Sequence, residues 1–235
     1  MLKESLQRAL QIQNIKITPE QEQKFEMYYN LLVQWNGKMN LTAITEESQV
    51  AIKHFEDSLA ILKYIQLKPD AKVIDIGTGA GFPGIPLKIA REDIDLTLLD
   101  SLNKRLVFLQ EVCGDLNFNA ETLHSRAEEA GKKTEYREKY DFACSRAVAR
   151  LNLLCELCLP FVKIGGLFVS MKGPGSAEEI SEAESAVKIL GGEICEVKEY
   201  FLSDNSKRTL VIIKKTKNTP KEFPRHGSKL KTKPL

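Results

Sequence analysis

Apolar residues recur every three or four positions through about the first seventy residues of the chain, the spacing that predicts amphipathic helices. Thr18 followed by Pro19 is typical of a helix start, with Thr18 as the N-cap and the proline in the first turn. Asn36-Gly37 is typical of a helix end. We expect three helices, over residues 2–13, from 18 to about 35, and over roughly 48–65, the last beginning at Ser48.

Beyond this region the pattern changes to short apolar runs that alternate with amphipathic stretches. Alternating strands and helices predict an α/β fold in which a mostly parallel sheet is covered on both faces. The last two runs are joined only by residues 203–208, a length that favours an antiparallel hairpin. We expect a helical segment over residues 1–68 packed on a sheet domain over 69–216, followed by a basic tail over 217–235. Strands are expected near 72–77, 96–100, 120–124, 141–145, 166–172, 193–201 and 209–215, and helices near 83–91, 103–116, 150–162 and 176–190.

Basic residues are concentrated at the C-terminal end, although the net charge of the whole chain is only +2. Residues 214–235 contain eight basic residues and one acid, so the rest of the chain is mildly acidic. Such a tail indicates either a polyanionic partner, whose phosphates the cations from Lys214 to Lys233 would contact, or a disordered, solubilising end. Charge alone leaves both interpretations open. The eight basic residues are Lys214, Lys215, Lys217, Lys221, Arg225, Lys229, Lys231 and Lys233.

The composition argues against a secreted, membrane-spanning or metal-binding protein. The chain starts without an apolar signal segment, and no stretch approaches the roughly 18 apolar residues that a membrane span needs. Five cysteines at uneven spacing do not resemble a disulfide framework, and Cys155-x-x-Cys158 lies in an apolar run that favours core packing over zinc or redox chemistry. His54, His124 and His226 lack metal-site spacing. We expect a cytoplasmic protein without a metal or a membrane partner.

A glycine-rich turn between a predicted strand and a predicted helix is the strongest functional motif. The glycines at 77, 79 and 81 let the backbone approach a ligand without a Cβ in the way. Asp100 closes the next predicted strand, where its carboxylate can accept hydrogen bonds from both hydroxyls of a ribose. Asp75, two residues before the first glycine, suits a ligand with a free cationic amino group. The motif reads Val73-Ile-Asp-Ile-Gly-Thr-Gly-Ala-Gly-Phe-Pro-Gly84.

A dinucleotide-dependent dehydrogenase would use the same layout, but its G-x-G-x-x-G fingerprint requires glycine where this chain has Phe82. Phe82-Pro83 would crowd a pyrophosphate at the helix start, and the Gly-Lys-Ser/Thr of a Walker loop does not follow. S-adenosylmethionine carries no phosphate and tolerates the bulkier turn. The motif therefore favours S-adenosylmethionine as the cofactor, with a dinucleotide or a turn that binds no ligand as weaker interpretations.

The turn Asp75-Ile-Gly-Thr-Gly-Ala-Gly-Phe-Pro-Gly-Ile-Pro86 resembles that of the RsmG, or GidB, family of bacterial 16S rRNA guanine-N7 methyltransferases. Further segments resemble this family in the same order along most of the chain. Each is short, but together they are highly specific. They are Trp35-Asn-Gly-Lys-Met-Asn-Leu-Thr42, Lys53-His-Phe-Glu-Asp-Ser58, Asp100-Ser-Leu-Asn-Lys-Arg105, Arg126-Ala-Glu128, Ser145-Arg-Ala-Val148, Lys172-Gly173, and the tail from Thr219-Pro220 to Pro224-Arg225.

This resemblance implies a class I, S-adenosylmethionine-dependent methyltransferase with a Rossmann-like, seven-stranded sheet. It implies methylation of N7 on one guanine, nucleotide 527 in standard numbering, of 16S rRNA in the small ribosomal subunit. By motif position it also implies a set of cofactor-binding residues, which joins the candidates Asp75, Gly79 and Gly81 from the glycine turn. The implied residues are Gly77, Phe82, Asp100, Ser101, Ala127, Glu128 and Arg146.

Guanine N7 has a free lone pair, so it needs no general base before it attacks a sulfonium methyl group. Catalysis then depends on alignment and electrostatics, which agrees with a sequence that has no obvious nucleophile–base pair. Arginine usually reads guanine through O6 and N7 together, which would block this reaction. We therefore expect a single donor to O6, with Arg146 and Lys172 as the candidate catalytic residues. Lys207 and Arg208 are expected to contact RNA phosphates with the tail.

Other interpretations stay open on the sequence alone. Arg126 and Glu128 could form a surface ion pair, and Arg146 with Arg150 could be a solvated helix start. The chain could be a class I methyltransferase acting on another RNA, a protein or a small molecule. It could also be a non-catalytic, cofactor-sensing factor that binds RNA or assists assembly, in which case it would bind RNA without methyl transfer.

Overall fold

Seven strands form one sheet in the computed structural model, which describes residues 1–235 except for the side chain of Lys231. They are β1 (Lys72–Ile76), β2 (Asp95–Asp100), β3 (Glu121–His124), β4 (Tyr140–Arg146), β5 (Val162–Lys172), β6 (Gly192–Phe201) and β7 (Lys207–Lys215). Their order across the sheet is β3-β2-β1-β4-β5-β7-β6. The first five strands are parallel, and β7 pairs antiparallel with both β5 and β6. This confirms the predicted α/β fold with a C-terminal antiparallel hairpin.

Helices pack on both faces of the sheet, and a group of them precedes β1. The division of the chain at residues 68 and 216 stays a prediction. The helices are α1 (Leu2–Gln13), α2 (Pro19–Asn36), α3 (Glu47–Val50), a π-helix (Ala51–Glu56), α4 (Asp57–Leu59), α5 (Ile61–Tyr64), α6 (Gly84–Ala90), α7 (Asn103–Asp115), α8 (Ala127–Ala130), α9 (Leu151–Cys158), a 3-10 turn (Leu159–Phe161), α10 (Ala177–Ile189) and α11 (Gly227–Thr232).

Local hydrogen bonds explain where the N-terminal helices begin. The hydroxyl of Thr18 accepts from the backbone N–H of Gln21, and the Gln21 side chain accepts from the N–H of Thr18, so α2 begins with the expected cap, here a complete capping box. The expected start of the third helix at Ser48 is wrong. Glu46 is its N-cap, because this carboxylate accepts from the next two free backbone N–H groups, while the Ser48 hydroxyl donates to Glu46 instead of capping.

Two hydrophobic clusters lie on opposite faces of the sheet. Successive strand residues point to opposite faces, so Val73 joins one cluster and Ile74 the other. The first cluster contains the N-terminal helices, whose Phe25 and Tyr28 are fully buried. These two aromatic side chains of α2 therefore belong to the core. On the other face α9 buries Cys155 and Cys158, in agreement with the packing role expected for these thiols.

The C-terminal tail lies against the body of the protein. Glu156 of α9 is fully buried and forms an ion pair with Arg225, whose Nη2 is 2.6 Å from its carboxylate. Arg137 donates to three backbone carbonyls of the tail, those of Thr219, Pro220 and Phe223. These contacts give the tail a defined conformation, and the buried carboxylate of Glu156 has its cation only with the tail in place, so the structure does not support the disordered end.

Two of the basic residues between positions 214 and 235 are used inside the protein. Arg225 pairs with Glu156, and Lys215 is fully buried, with its Nζ donating to the carbonyl of Leu159 and the hydroxyl of Thr219. Burial lowers the pKa of the Lys215 ammonium to about 8. The side chain of Lys231 lies outside the described part of the chain. Among the described residues from 214 onward, the exposed cations are Lys214 at the end of β7 and, in the tail, Lys217, Lys221, Lys229 and Lys233.

Candidate active site

A cavity of about 490 Å³ opens at the carboxyl ends of β1, β2 and β4. Ligands of open α/β sheets bind at this edge, because the loops that leave parallel strands meet there. The cavity brings together eight of the predicted site residues, from four separate parts of the chain. They are Gly77, Gly79, Phe82, Asp100, Ser101, Ala127, Glu128 and Arg146. Their individual binding roles stay predictions.

The glycine turn forms the floor of this cavity. Gly77 and Gly79 have φ values of +70° and +60°, a backbone conformation that favours glycine. A Cβ on Gly77 would lie 2.6 Å from a methyl carbon of Val148, so a larger residue would force this valine or the turn itself to shift. Gly81 does not line the cavity. A Cβ there would lie 2.7 Å from the hydroxyl oxygen of Tyr28, so this glycine allows α2 to pack under the turn.

Asp75 lies beneath the turn and is fully buried, outside the set of residues that line the cavity. Its Oδ2 accepts from the hydroxyl of Thr78 at 2.7 Å and from the N–H of Gly84 at 2.9 Å. Burial raises the pKa of this carboxyl to about 6. Its Oδ1 is buried without a partner among the described residues, so one acceptor is available to a donor that reaches under the turn.

Asp100 lies at the end of β2 and faces the cavity, as predicted. Its Oδ1 accepts from the N–H of Leu102, and its Oδ2 accepts from the N–H of Gly79 at 2.9 Å and from Arg105 at 3.2 Å. A carboxylate offers about four acceptor sites, and three are used here. Two ribose hydroxyls therefore require Arg105 to move away, which is feasible because about a third of its side chain is exposed.

Glu128, which follows β3, faces the cavity with 11% of its side chain exposed. The surface ion pair considered for it is weak, since Arg126 is 4.0 Å away and mostly exposed to solvent. The tail passes close to this carboxylate, because a Cβ on Gly227 would lie 2.7 Å from its Oε1. A second cavity, of about 550 Å³, shares Arg126, Glu128 and Val148 with the first and continues to the tail.

Arg146 enters the cavity from the end of β4 and is 86% buried, so it is not part of a solvated helix start. Its Nη1 donates to the carbonyl of Lys53 at 3.0 Å and to Asp57 at 3.2 Å, and its Nη2 lies 3.1 Å from Nδ1 of His54. The guanidinium carbon is 4.9 Å from the centre of the Phe82 ring, within range of a cation–π contact. The N-terminal helices therefore restrain this side chain.

Three other predicted cations lie in protein contacts of their own. Lys172 is not among the cavity residues: its Nζ donates to the carbonyl of Ala149 and to Glu179. Lys207 pairs with Glu199 at 2.7 Å. Arg208 is directed at Asp57, 3.5 Å from its carboxylate. The structure thus leaves Arg146 as the one predicted catalytic candidate that faces the cavity.

Several residues of the cavity were not proposed from the sequence. Thr42 and His54 come from the N-terminal helical region, whereas Arg105 and Ser125 follow β2 and β3. The segments containing Thr42, His54 and Arg105 are among those that resemble the RsmG family, and this is the signal that could have found them. Periodicity could not, because His54 and Arg146 are 92 residues apart in the chain.

Metal and membrane sites were also searched for. Among the described residues no three His, Cys, Asp or Glu side chains are grouped so that they could hold a metal ion. Within the same part of the chain, no helix combines the length and the apolar character needed to cross a membrane.

The sheet order, the glycine turn and the acid at the end of β2 define a methyltransferase of the class I fold. A solved structure with this fold is that of M. jannaschii TYW2 in complex with AdoMet, which is 11% identical to this chain, with a TM-score of 0.51 over 63% of this chain and 70% of that one. At that identity the likeness shows the fold alone.

Sequence comparison gives the family. The family model described as rRNA small subunit methyltransferase G, GidB, matches residues 21–211. The ribosomal RNA small subunit methyltransferase G of Alkaliphilus oremlandii is 52% identical, covering 100% of this chain and 99% of the relative. The protein of the same name from Desulforamulus reducens is 49% identical over 98% and 97%. The chain belongs to the rRNA small subunit methyltransferase G (GidB) family, as the motifs predicted.

Proposed function

We propose that this enzyme transfers the methyl group of S-adenosylmethionine to N7 of one guanine, nucleotide 527 in standard numbering, of 16S rRNA in the small ribosomal subunit. The observation that carries the proposal is the convergence of the glycine turn, Asp100, Glu128 and Arg146 on one cavity at the edge of a class I sheet. The reaction belongs in the cytoplasm, where the ribosomal subunit is located.

The residues present fit the cofactor. Asp100 would accept from its ribose once Arg105 has moved, and Ala127 and Glu128 would contact the adenine. Gly77 keeps the backbone of the turn open to the cofactor, and a Cβ there would instead meet Val148. The buried, unpartnered Oδ1 of Asp75 would accept from the amino group if that group, or a water bound to it, reaches beneath the turn.

Bound S-adenosylmethionine supplies an activated methyl group on its sulfonium. The protein has to align the guanine and exclude water, because N7 already has the lone pair that reacts. Arg146 suits this task because its contacts with Lys53, His54 and Asp57 fix the guanidinium before the substrate arrives. It would donate to guanine O6 or to the cofactor and leave N7 free.

The Arg146→Ala variant tests this role. This substitution should lower turnover by well over ~10-fold, because removing a preorganised hydrogen-bond donor has effects of at least this size. A variant that folds and retains its turnover would exclude Arg146 from the reaction.

The exposed lysines of the tail would contact the RNA backbone. Lys229 lies on α11, next to the second cavity, so a strand that enters the first cavity passes within reach of the tail. Phosphate contacts release counterions, so we expect the affinity for rRNA to fall steeply as salt rises. Equal affinity at about 50 and 200 mM salt would rule out this mode of binding.

The decisive experiment uses methyl-labelled S-adenosylmethionine and small subunits from cells that lack the activity. Label at N7 of the single guanine at position 527 is the expected result. Label on another nucleotide, or on a metabolite, would support methyl transfer by this enzyme but show that the proposed substrate is wrong. Cofactor binding together with tight RNA binding but no label would identify a non-catalytic factor, and no cofactor binding would refute the proposal.

A further inference from the structure

His54 has two polar contacts and one stacking contact at the wall of the cavity. It lies in the π-helix, and its ring stacks on Phe82 with centroids 4.3 Å apart. Nδ1 is 3.1 Å from Nη2 of Arg146, and Nε2 is 2.9 Å from the hydroxyl oxygen of Thr42. The residue is 8% exposed and lines the cavity. It therefore connects the N-terminal helical region, to which it belongs, with Arg146 at the end of β4.

The partners of the ring determine where its proton resides. A guanidinium can only donate hydrogen bonds, so Nδ1 has to accept from Arg146 and cannot itself carry a proton. Nε2 then carries the proton and donates it to the hydroxyl oxygen of Thr42. The 3.2 Å approach of Nδ1 to the carbonyl of Lys53 is not a hydrogen bond in this tautomer. Burial and the nearby arginine lower the pKa of His54 to about 3, in agreement with a neutral ring.

The same contact completes the restraint of Arg146. Nη1 uses both of its hydrogens, on the carbonyl of Lys53 and on Asp57, and Nη2 uses one on His54. Two of the five guanidinium N–H groups then have no acceptor among the described residues. Without His54, the guanidinium would be fixed through Nη1 alone and could rotate about that end. The imidazole therefore determines how the remaining two donors are directed.

We propose that His54 is a positioning residue, which acts as a neutral acceptor to orient Arg146 toward the ligand in the cavity. The proposal rests on the proposed function, because it requires Arg146 to meet the cofactor or the guanine. The π-helix contributes because it presents His54 and the carbonyl of Lys53 to one guanidinium, and π-helical turns are frequent at functional sites.

Two amide variants separate this role from simple packing. In His54→Asn the side-chain oxygen takes the place of Nδ1 and can still accept from Arg146. In His54→Gln the amide reaches the position of Nε2, next to Thr42, and Nη2 of Arg146 loses the acceptor that Nδ1 provided. Both variants remove the aromatic ring, so each serves as the packing control for the other.

The measurements are the Kd for S-adenosylmethionine, single-turnover methyl transfer to small subunits, and the melting temperature. We expect His54→Asn to retain turnover within about threefold of the native enzyme. His54→Gln should be slower by about tenfold or more, because a hydrogen bond to a charged group contributes about 1.5–3 kcal/mol. The melting temperatures of the two variants should be similar.

Equal activity in the two variants would overturn the proposal and leave His54 with a packing role. If neither variant folds, nitrogen NMR of the native protein at neutral pH decides, since a proton on Nδ1 contradicts the inference and a proton on Nε2 supports it. Native protein that fails to bind or transfer the methyl group would instead refute the proposed function.

Discussion

Tyr28 makes a single hydrogen bond that joins the N-terminal helices to the glycine turn, and its removal gives a defined prediction. The phenol is fully buried in α2 and donates to the carbonyl of Ala80 at 2.5 Å. Burial raises the pKa of this hydroxyl well above its usual value, so it remains a donor at any physiological pH. The Tyr28→Phe substitution removes this oxygen and leaves the ring in the core.

The magnitude follows from the carbonyl that is left behind. A buried acceptor that loses its partner destabilises a protein by about 1–3 kcal/mol. The hydroxyl oxygen of Tyr28 packs so close to the backbone of Gly81 that a Cβ there would lie 2.7 Å from it. The space that remains when this oxygen is removed is therefore small. A water, which needs roughly 10–15 Å³ and several polar partners, is not expected to replace it. We take about 2 kcal/mol, which lowers the melting temperature by about 4–8 °C in a chain of this size.

The same substitution should weaken the binding of S-adenosylmethionine. If the turn relaxes to expose the Ala80 carbonyl to water, cofactor binding has to return the turn to its original conformation. The free energy of that change, about 2 kcal/mol, corresponds to at most about a thirtyfold rise in Kd. Thermal unfolding and calorimetric titration with S-adenosylmethionine measure both effects. Tyr29→Phe is the matched control, because Tyr29 lies on the same helix and donates to the carbonyl of Thr45 at an exposed position. Its loss should change stability by less than about 0.5 kcal/mol. Equal effects of the two substitutions on stability and affinity would refute the reasoning.

Three further predictions concern the tail and the turn. Arg225→Ala should lower the free energy of unfolding by about 3 kcal/mol in urea titrations, because the buried Glu156 carboxylate loses its cation and keeps the backbone N–H of residue 225 as a donor. Adding Glu156→Gln should restore part of that loss, and no recovery would contradict the buried-charge explanation. Gly77→Ala should raise the Kd for S-adenosylmethionine by about tenfold or more, because its Cβ meets a methyl group of Val148 and its φ is positive. Gly173→Ala, whose Cβ meets no described atom within 4 Å, should bind normally. The pKa of Asp75 is about 6 in the folded protein against 3.8 unfolded, so the folded state binds this proton more tightly. The contribution of this group to stability is therefore present below about pH 4 and lost as pH rises through 6. From pH 4 to 7 the native protein should lose stability relative to Asp75→Asn, and a stability difference that does not change with pH would contradict this.

The periodic parts of the fold could be predicted from the sequence. Apolar spacing predicted the alternation of strands and helices, and the short connection between β6 and β7 predicted their antiparallel pairing, because these properties depend on neighbouring residues. The π-helix was not predicted. Six residues are too few for apolar spacing to distinguish an α-helix from a π-helix, and in the structure this segment packs against α1 and α3.

For the candidate site, the sequence predicted which residues lie in the cavity more successfully than it predicted their hydrogen-bond and ion-pair partners. The glycine turn and Asp100 could be placed because they follow consecutive strands. The pairing of Arg146 with His54 joins positions 92 residues apart, and the pairing of Arg225 with Glu156 joins positions 69 apart. Single-sequence patterns carry no information on such pairs, so a tail cation that neutralises a buried acid looks the same as one available to RNA.

The docking of the tail has a consequence for the synthesis of the protein. Residues 219–225 are translated after the whole sheet, yet Arg225 is the cation that neutralises Glu156, and the tail's carbonyls are the acceptors for Arg137. While the chain is still being made, Glu156 lacks the guanidinium that neutralises it, and Arg137 keeps its hydrogen bond to the carbonyl of Gly131 but lacks its acceptors in the tail. The body therefore reaches its finished state only after the last segment has been released. A stop codon that removes just this segment would leave every strand and every glycine of the turn encoded, and still yield a chain that quality-control proteases recognise as incomplete.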